Sequence, residues 1–166
     1  MSDCEHCRFA EEKELVVFED ELVVAVLAKK PVALGHILVM PKQHVTILEQ
    51  VPDNVAERAF IIANKVSTAL FDVLRINGTN IIVENGTAAG QTTPHFAINV
   101  IPRTENDGLK LSWAAKRFSD EQISMAEMQL QKEIQGAPEE QKQSEEKKET
   151  TLVGDNELVN HLKRIP

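Results

Sequence analysis

Residues 15–41 read LVVFEDELVVAVLAKKPVALGHILVMP. Three short apolar runs stand in this stretch, rich in Val and Leu, too short for helices and bounded by turn chemistry. Leu15–Phe18 and Leu22–Leu27 are split by Glu19, Asp20 and Glu21, so they predict a hairpin. Pro31–Gly35 predicts a turn, and His36–Met40 predicts a third strand stopped by Pro41.

Toward the C-terminus, Pro52 and Asp53 open a long helical stretch. Val55, Ala59, Ile62, Val66, Leu70 and Val73 recur at the spacing of one helix face. Asn77-Gly78 predicts the turn that ends it, and Ile81–Glu84 a strand. A Gly-rich loop follows, then His95–Ile101 as the last strand, closed by Pro102. Short strands that turn back on one another around one long helix indicate an antiparallel α+β domain, expected over residues 1–110. Residues 111–136 are expected to form a C-terminal helix region. There Ser119-Asp120-Glu121-Gln122 fits a capping box ahead of Ile123, Ala126, Leu130 and Ile134. Residues 137–151, APEEQKQSEEKKETT, hold no aliphatic residue larger than Ala and predict a flexible charged linker. Residues 152–166 predict a short amphipathic helix carrying Leu158, Val159, Leu162 and Ile165, with His161 on its solvated side.

The 166 residues suit one compact domain with length to spare. With no Tyr, one Trp and six Phe, the core must rest on Val, Ile, Leu and Ala, and aromatic platforms for stacked bases are not expected. The net charge of −8 argues against broad binding to nucleic-acid backbones or anionic membranes, which need a positive field. It leaves room for a local phosphate site. No apolar run approaches the roughly 20 residues of a membrane span, and the N-terminal residues are polar. Cytoplasmic placement is the expectation.

Two groups of residues carry chemistry. Cys4-x-x-Cys7 sets two thiols on a tight turn, open to a metal reading or a redox reading; histidines are the usual completion of a zinc tetrahedron. His6, between the thiols, is expected to be exposed. Farther on, PHFAINVIPR (Pro94–Arg103) alternates, placing His95, Ala97 and Asn99 on one face and Phe96, Ile98 and Val100 on the core face. The neighbouring loop Asn85–Thr92, NGTAAGQT, offers backbone N–H groups with the Gln91 and Thr92 side chains, an arrangement that can hold an anion.

These segments together resemble the histidine triad (HIT) family: Pro31-Val-x-x-Gly35-His36 through Pro41-Lys42-x-His44, then Asn85-Gly86-x-x-Ala89-Gly90-Gln91-Thr92-x-x-His95, then Val100-Ile101-Pro102-Arg103. The resemblance covers about residues 4–110. It implies a homodimeric α+β fold that binds nucleotides, and a reaction through a covalent nucleotidyl-histidine. The three alternate triad positions hold His95, Ala97 and Asn99 here, so the resemblance assigns the nucleophile's place to Ala97, whose methyl group attacks nothing. Ala28, followed by Lys29 and Lys30, stands where the family has an acidic residue for ribose hydroxyls. The resemblance further implies a structural zinc on Cys4, Cys7, His44 and His95, as in a zinc-containing branch, and a phosphate-ligand site built from His36, Asn85, Gly90, Gln91, Thr92 and Asn99.

Three functions fit this reading. The first is a zinc-holding HIT protein that binds a nucleotide or other phosphate ligand without the histidine-nucleophile reaction. The second is an active hydrolase or nucleotidyl transferase in which another group attacks or activates water, with His36 as the candidate. The third is a dimeric module that recruits a partner through residues 106–166.

Overall fold

The computed structural model of the chain describes residues 4–13 and 15–136. The predicted linker, the terminal helix and His161 lie outside the described residues. The chain divides into two units, Met1–Leu111 and Ser112–Pro166.

In the first unit the order is α1 (Glu5–Glu12), β1 (Val16–Glu19), β2 (Val23–Leu27), β3 (Ile37–Pro41), α2 (Asp53–Leu74), β4 (Gly78–Val83) and β5 (Ile98–Arg103). Short 3₁₀ turns stand at Leu48–Gln50 and Thr87–Ala89. The five strands form one sheet in the order β1-β2-β3-β5-β4, with every neighbouring pair antiparallel. The α+β class expected from the sequence is the class observed.

Both faces of the central strands are covered, which explains why β2 and β3 are nearly unbroken apolar runs. Val23, Ala25, Ile37, Val39, Ile98 and Val100 point to the side packed by α2, where Ala59, Ile62, Ala63, Val66 and Leu70 complete the main core. Val24, Val26, Leu38 and Met40 point the other way and pack with Phe9 of α1. Val73, expected on the buried stripe of α2, is 75% exposed in the helix's last turn. Arg75 ends the helix in the left-handed conformation, returning its N–H to the Phe71 carbonyl. Gly35 passes so close beneath this end that a Cβ there would lie 2.5 Å from Leu74 Cδ1, and its φ of +89° is one that glycine alone adopts readily.

Two local expectations change. The last strand starts at Ile98, not His95, because the preceding N–H groups are used elsewhere: His95 N–H donates to the Thr93 carbonyl and Phe96 N–H to the Val45 carbonyl. It also runs through Pro102 to Arg103. Pro102 lies beyond the last β3 pairing, Ile37 with Val100, and Asn77 N–H reaches the Arg103 carbonyl on the β4 side, so the missing proline N–H breaks no ladder bond. The second change is at the thiol pair. Cys4 is the N-cap of helix α1 and Cys7 lies in its first turn, where the sequence predicted only a tight turn.

In the second unit, α3 spans Asp120–Gly136. Its predicted capping box is formed: Gln122 N–H donates to Ser119 Oγ and Ser119 N–H to Gln122 Oε1.

Candidate functional site

Four side chains from three places in the chain converge. Helix α1 brings Cys4 and Cys7, the segment after β3 brings His44, and the approach to β5 brings His95. Their ligating atoms all lie within 4.8 Å of one another. The N···S separations are 3.6 Å for Cys4–His95, 3.3 Å for Cys7–His44 and 3.5 Å for Cys7–His95, each through Nδ1. A tetrahedral zinc with Zn–S of about 2.3 Å and Zn–N of about 2.0–2.1 Å has N···S edges of about 3.6 Å. Three of the six edges therefore match such an ion, and the cluster could hold a metal.

His95 is shaped for that role. It is 2% exposed, and its Nε2–H donates to the Pro41 carbonyl at 3.0 Å. A carbonyl only accepts, so the proton sits on Nε2 and the Nδ1 lone pair faces the sulfurs. Burial lowers its pKa to about 4, against a weaker raising effect of the Pro41 hydrogen bond, with His6 and His44 lowering it further. The ring is neutral, as a metal ligand must be. His95 was expected to look outward from a strand; it is buried instead, because the segment before Ile98 folds under the β3 end. His6 also departs from expectation. It is half-buried between Phe9 and the edge of the His95 ring, and its buried Nδ1 has no hydrogen-bond partner among the described residues.

Beside the cluster lies a cavity of about 190 Å³. His36, Gln91, Thr92, His95, Ala97 and Asn99 border it, as do Ala28, Lys29, Lys30, Glu5, Glu84 and Thr93. The sequence singled out Ala28-Lys29-Lys30, but gave no sign of Glu5, Glu84 or Thr93 as cavity residues. Their placement depends on pairings distant in sequence.

On the cavity floor His36 and Asn99 form a fixed chain. Val32 N–H donates to His36 Nδ1 at 3.4 Å, His36 Nε2–H donates to Asn99 Oδ1 at 3.0 Å, and Asn99 Nδ2 donates to the Ile82 carbonyl at 3.5 Å. Both imidazole nitrogens are thus engaged, and the ring is neutral. Burial lowers its pKa, opposed by the Asn99 hydrogen bond and the Glu84 charge. The other Asn99 amide hydrogen has no acceptor among the described residues.

The loop residues divide. Gln91 spends both amide hydrogens on the Thr46 and Thr93 carbonyls and accepts from Gly86 N–H, so it braces the loop from within. Asn85 accepts from Leu48 N–H and donates to Glu49, tying the loop to the 3₁₀ turn after β3. Asn85 and Gly90 do not border the cavity. Gly90 adopts φ +98° against Glu84 at the loop's end.

The family model for the HIT domain matches residues 10–106. Adenylylsulfatase HINT3 of Arabidopsis thaliana is 32% identical over 145 residues, covering 84% of this chain and 74% of the relative. The crystal structure of a HIT family member from Bacillus subtilis superposes with a TM-score of 0.73 at 29% identity, over 79% of this chain and 96% of that one. A zinc-bound histidine triad family protein from Mycobacterium smegmatis superposes with a TM-score of 0.60 at 26% identity, over 78% and 97%. With more than half its length matched by the family model on the same fold, the chain belongs to the HIT domain family.

Proposed function

We propose that this chain is a zinc-holding HIT protein that binds a nucleotide or another phosphate ligand in the cavity and does not carry out the histidine-nucleophile reaction. The observation that carries the reading is the cavity floor, where a methyl group, Ala97, stands between His95 and Asn99. Neither flanking imidazole is a ready substitute. His95 has Nε2–H on the Pro41 carbonyl and Nδ1 toward two sulfurs. His36 has both nitrogens occupied by Val32 and Asn99. A general base needs a lone pair within reach of the proton it removes, and these rings have theirs committed. This favours binding over the alternative of an active hydrolase, although the chain is related to an enzyme named for adenylylsulfatase activity.

In this reading Cys4, Cys7, His44 and His95 hold a structural zinc. When bound, the ion ties helix α1 to the segments after β3 and before β5, and it supplies folding energy. Thr92 and Asn99 present hydrogen-bond donors to the ligand, and neutral His36 orients Asn99. Asn85, Gly90 and Gln91 set the loop's shape. The reading also includes a homodimer in a reducing, cytoplasmic compartment. Phe60 and Ile61 on α2 and Ile81 on edge strand β4 are large, apolar and 41–44% exposed, surfaces a second copy would cover.

The test is calorimetry of the purified protein against inorganic phosphate and AMP, with metal content and light scattering on the same sample. Binding without turnover of an AMP phosphoramidate, with a stoichiometric metal, is the expected result. Turnover lost on His36→Gln would sink the non-catalytic reading.

A further inference from the structure

We infer that the cavity is built for a ligand with two separated anionic groups, a nucleoside or sugar bisphosphate, in preference to a monophosphate. The inference rests on the reading of the cavity as a phosphate site and says what kind of phosphate compound it selects.

The observation is the distribution of donors across the cavity. Register places Val26 of β2, Leu38 of β3 and Asn99 of β5 side by side on one sheet face. Lys29 and Lys30 follow the end of β2, while Asn99 lies on β5, with Thr92 and Thr93 in the segment leading to it. β3 stands between the two strands, so the backbones that carry the two donor groups are two strand spacings apart, about 10 Å. Between them the wall is mixed: His36 is hydrogen-bonded to Asn99, while Leu38 and Phe9 belong to the core cluster on this face, with Ala28 and Ala97 packed against it. The cavity thus has donors at two ends, with neutral His36 and apolar side chains between them. Neighbouring phosphates of a diphosphate chain would both fall at one end.

The Lys end is partly organised. Lys29 Nζ sits 4.2 Å from the centre of the Phe9 ring and 3.3 Å from Glu12 Oε2. Lys30 has no hydrogen bond or ion pair among the described residues. An ammonium group only donates, and it fits a phosphate as a point charge. Glu5 and Glu84 also border the cavity, so two positive and two negative side chains face it. Attraction must come from directed contacts at both ends, because the lining has no net positive field. That is why a ligand anchored at one end only gains less.

The experiment titrates the full-length protein by calorimetry with inorganic phosphate, AMP, adenosine 3′,5′-bisphosphate and fructose 1,6-bisphosphate. One of the bisphosphates is expected to bind at least about tenfold more tightly than AMP, and which one does so separates nucleoside from sugar. Lys29→Gln/Lys30→Gln should bring that compound to within about threefold of AMP. Lys30→Gln alone, which removes no hydrogen bond or ion pair among the described residues, should lose part of the preference and guards against a folding defect at Lys29. Equal or tighter binding of AMP by the unaltered protein overturns the inference and leaves the phosphate-site reading standing. A preference that persists in the double variant also overturns it. No heat with any of the four compounds removes both readings.

Discussion

Replacing His44 separates a metal centre from a packing cluster. Its side chain is exposed, and its contacts are the Cys7 sulfur at 3.3 Å and the edge of the His95 ring. If no ion binds, His44→Ala is an ordinary surface change, worth about 0.5 kcal/mol or less. If the four donors hold zinc, the same change removes one corner of a tetrahedron whose N···S edges, 3.3–3.6 Å, already fit the ion. Losing one of the four donors should weaken the site at least about a hundredfold, or ~2.7 kcal/mol of linked stability with metal in excess. At this chain length that corresponds to a fall in Tm of roughly 8 °C, at about 3 °C per kcal/mol. The assay is thermal unfolding followed by circular dichroism, in zinc-replete buffer and after chelation, with metal content measured on both proteins. Chelation should lower the Tm of the wild type by more than that of the variant, bringing the two together. A His44→Ala protein as stable as wild type in zinc-replete buffer would refute the assignment of these four residues.

Other consequences follow from the same geometry. Ala97→His places an imidazole between His95 and Asn99; an AMP phosphoramidate assay by chromatography should show hydrolysis at least about a hundredfold above wild type if the remaining pocket is competent, with about 1–3 kcal/mol of stability lost to crowding against the Leu38 cluster. Asn99→Leu strips the acceptor from buried His36 Nε2–H, and the unmet donor should cost about 1–3 kcal/mol in a denaturant titration; a neutral result would show that the His36–Asn99 bond is dispensable. Burial lowers the pKa of His36, so the unfolded chain takes up the proton first. Stability is then full above about pH 6.5 and declines as pH falls below it toward the lower folded-state value. His36→Gln should flatten part of that decline between pH 6.5 and 5, and an unchanged slope would count against it. Gly35→Ala forces a methyl to 2.5 Å from Leu74 Cδ1 at φ +89° and should destabilise by more than about 1 kcal/mol; a variant melting with wild type would contradict the close approach.

The sequence alone determined the elements whose information is local. The runs at 15–41 and the stripe from Val55 to Leu70 were legible because strand and helix periods depend on near neighbours, and the same holds for the Ser119–Gln122 cap. The four-residue Cys/His set was legible through the family's spacing, with no geometry attached. Helix α1 was hidden because its apolar face is little more than Phe9, and it forms against Val24, Val26, Leu38 and Met40 from strands far along the chain. Tertiary structure also decided where side chains ended up. His95 went inward when its N–H turned to Thr93, His6 was caught beneath Phe9, and Gln91 came to brace the loop at the cavity's border. It brought Lys29 and Lys30 across β3 from Asn99, a separation that no spacing along the chain encodes. Those outcomes rest on which buried polar groups find partners, and that matching is settled only when distant segments share one interior.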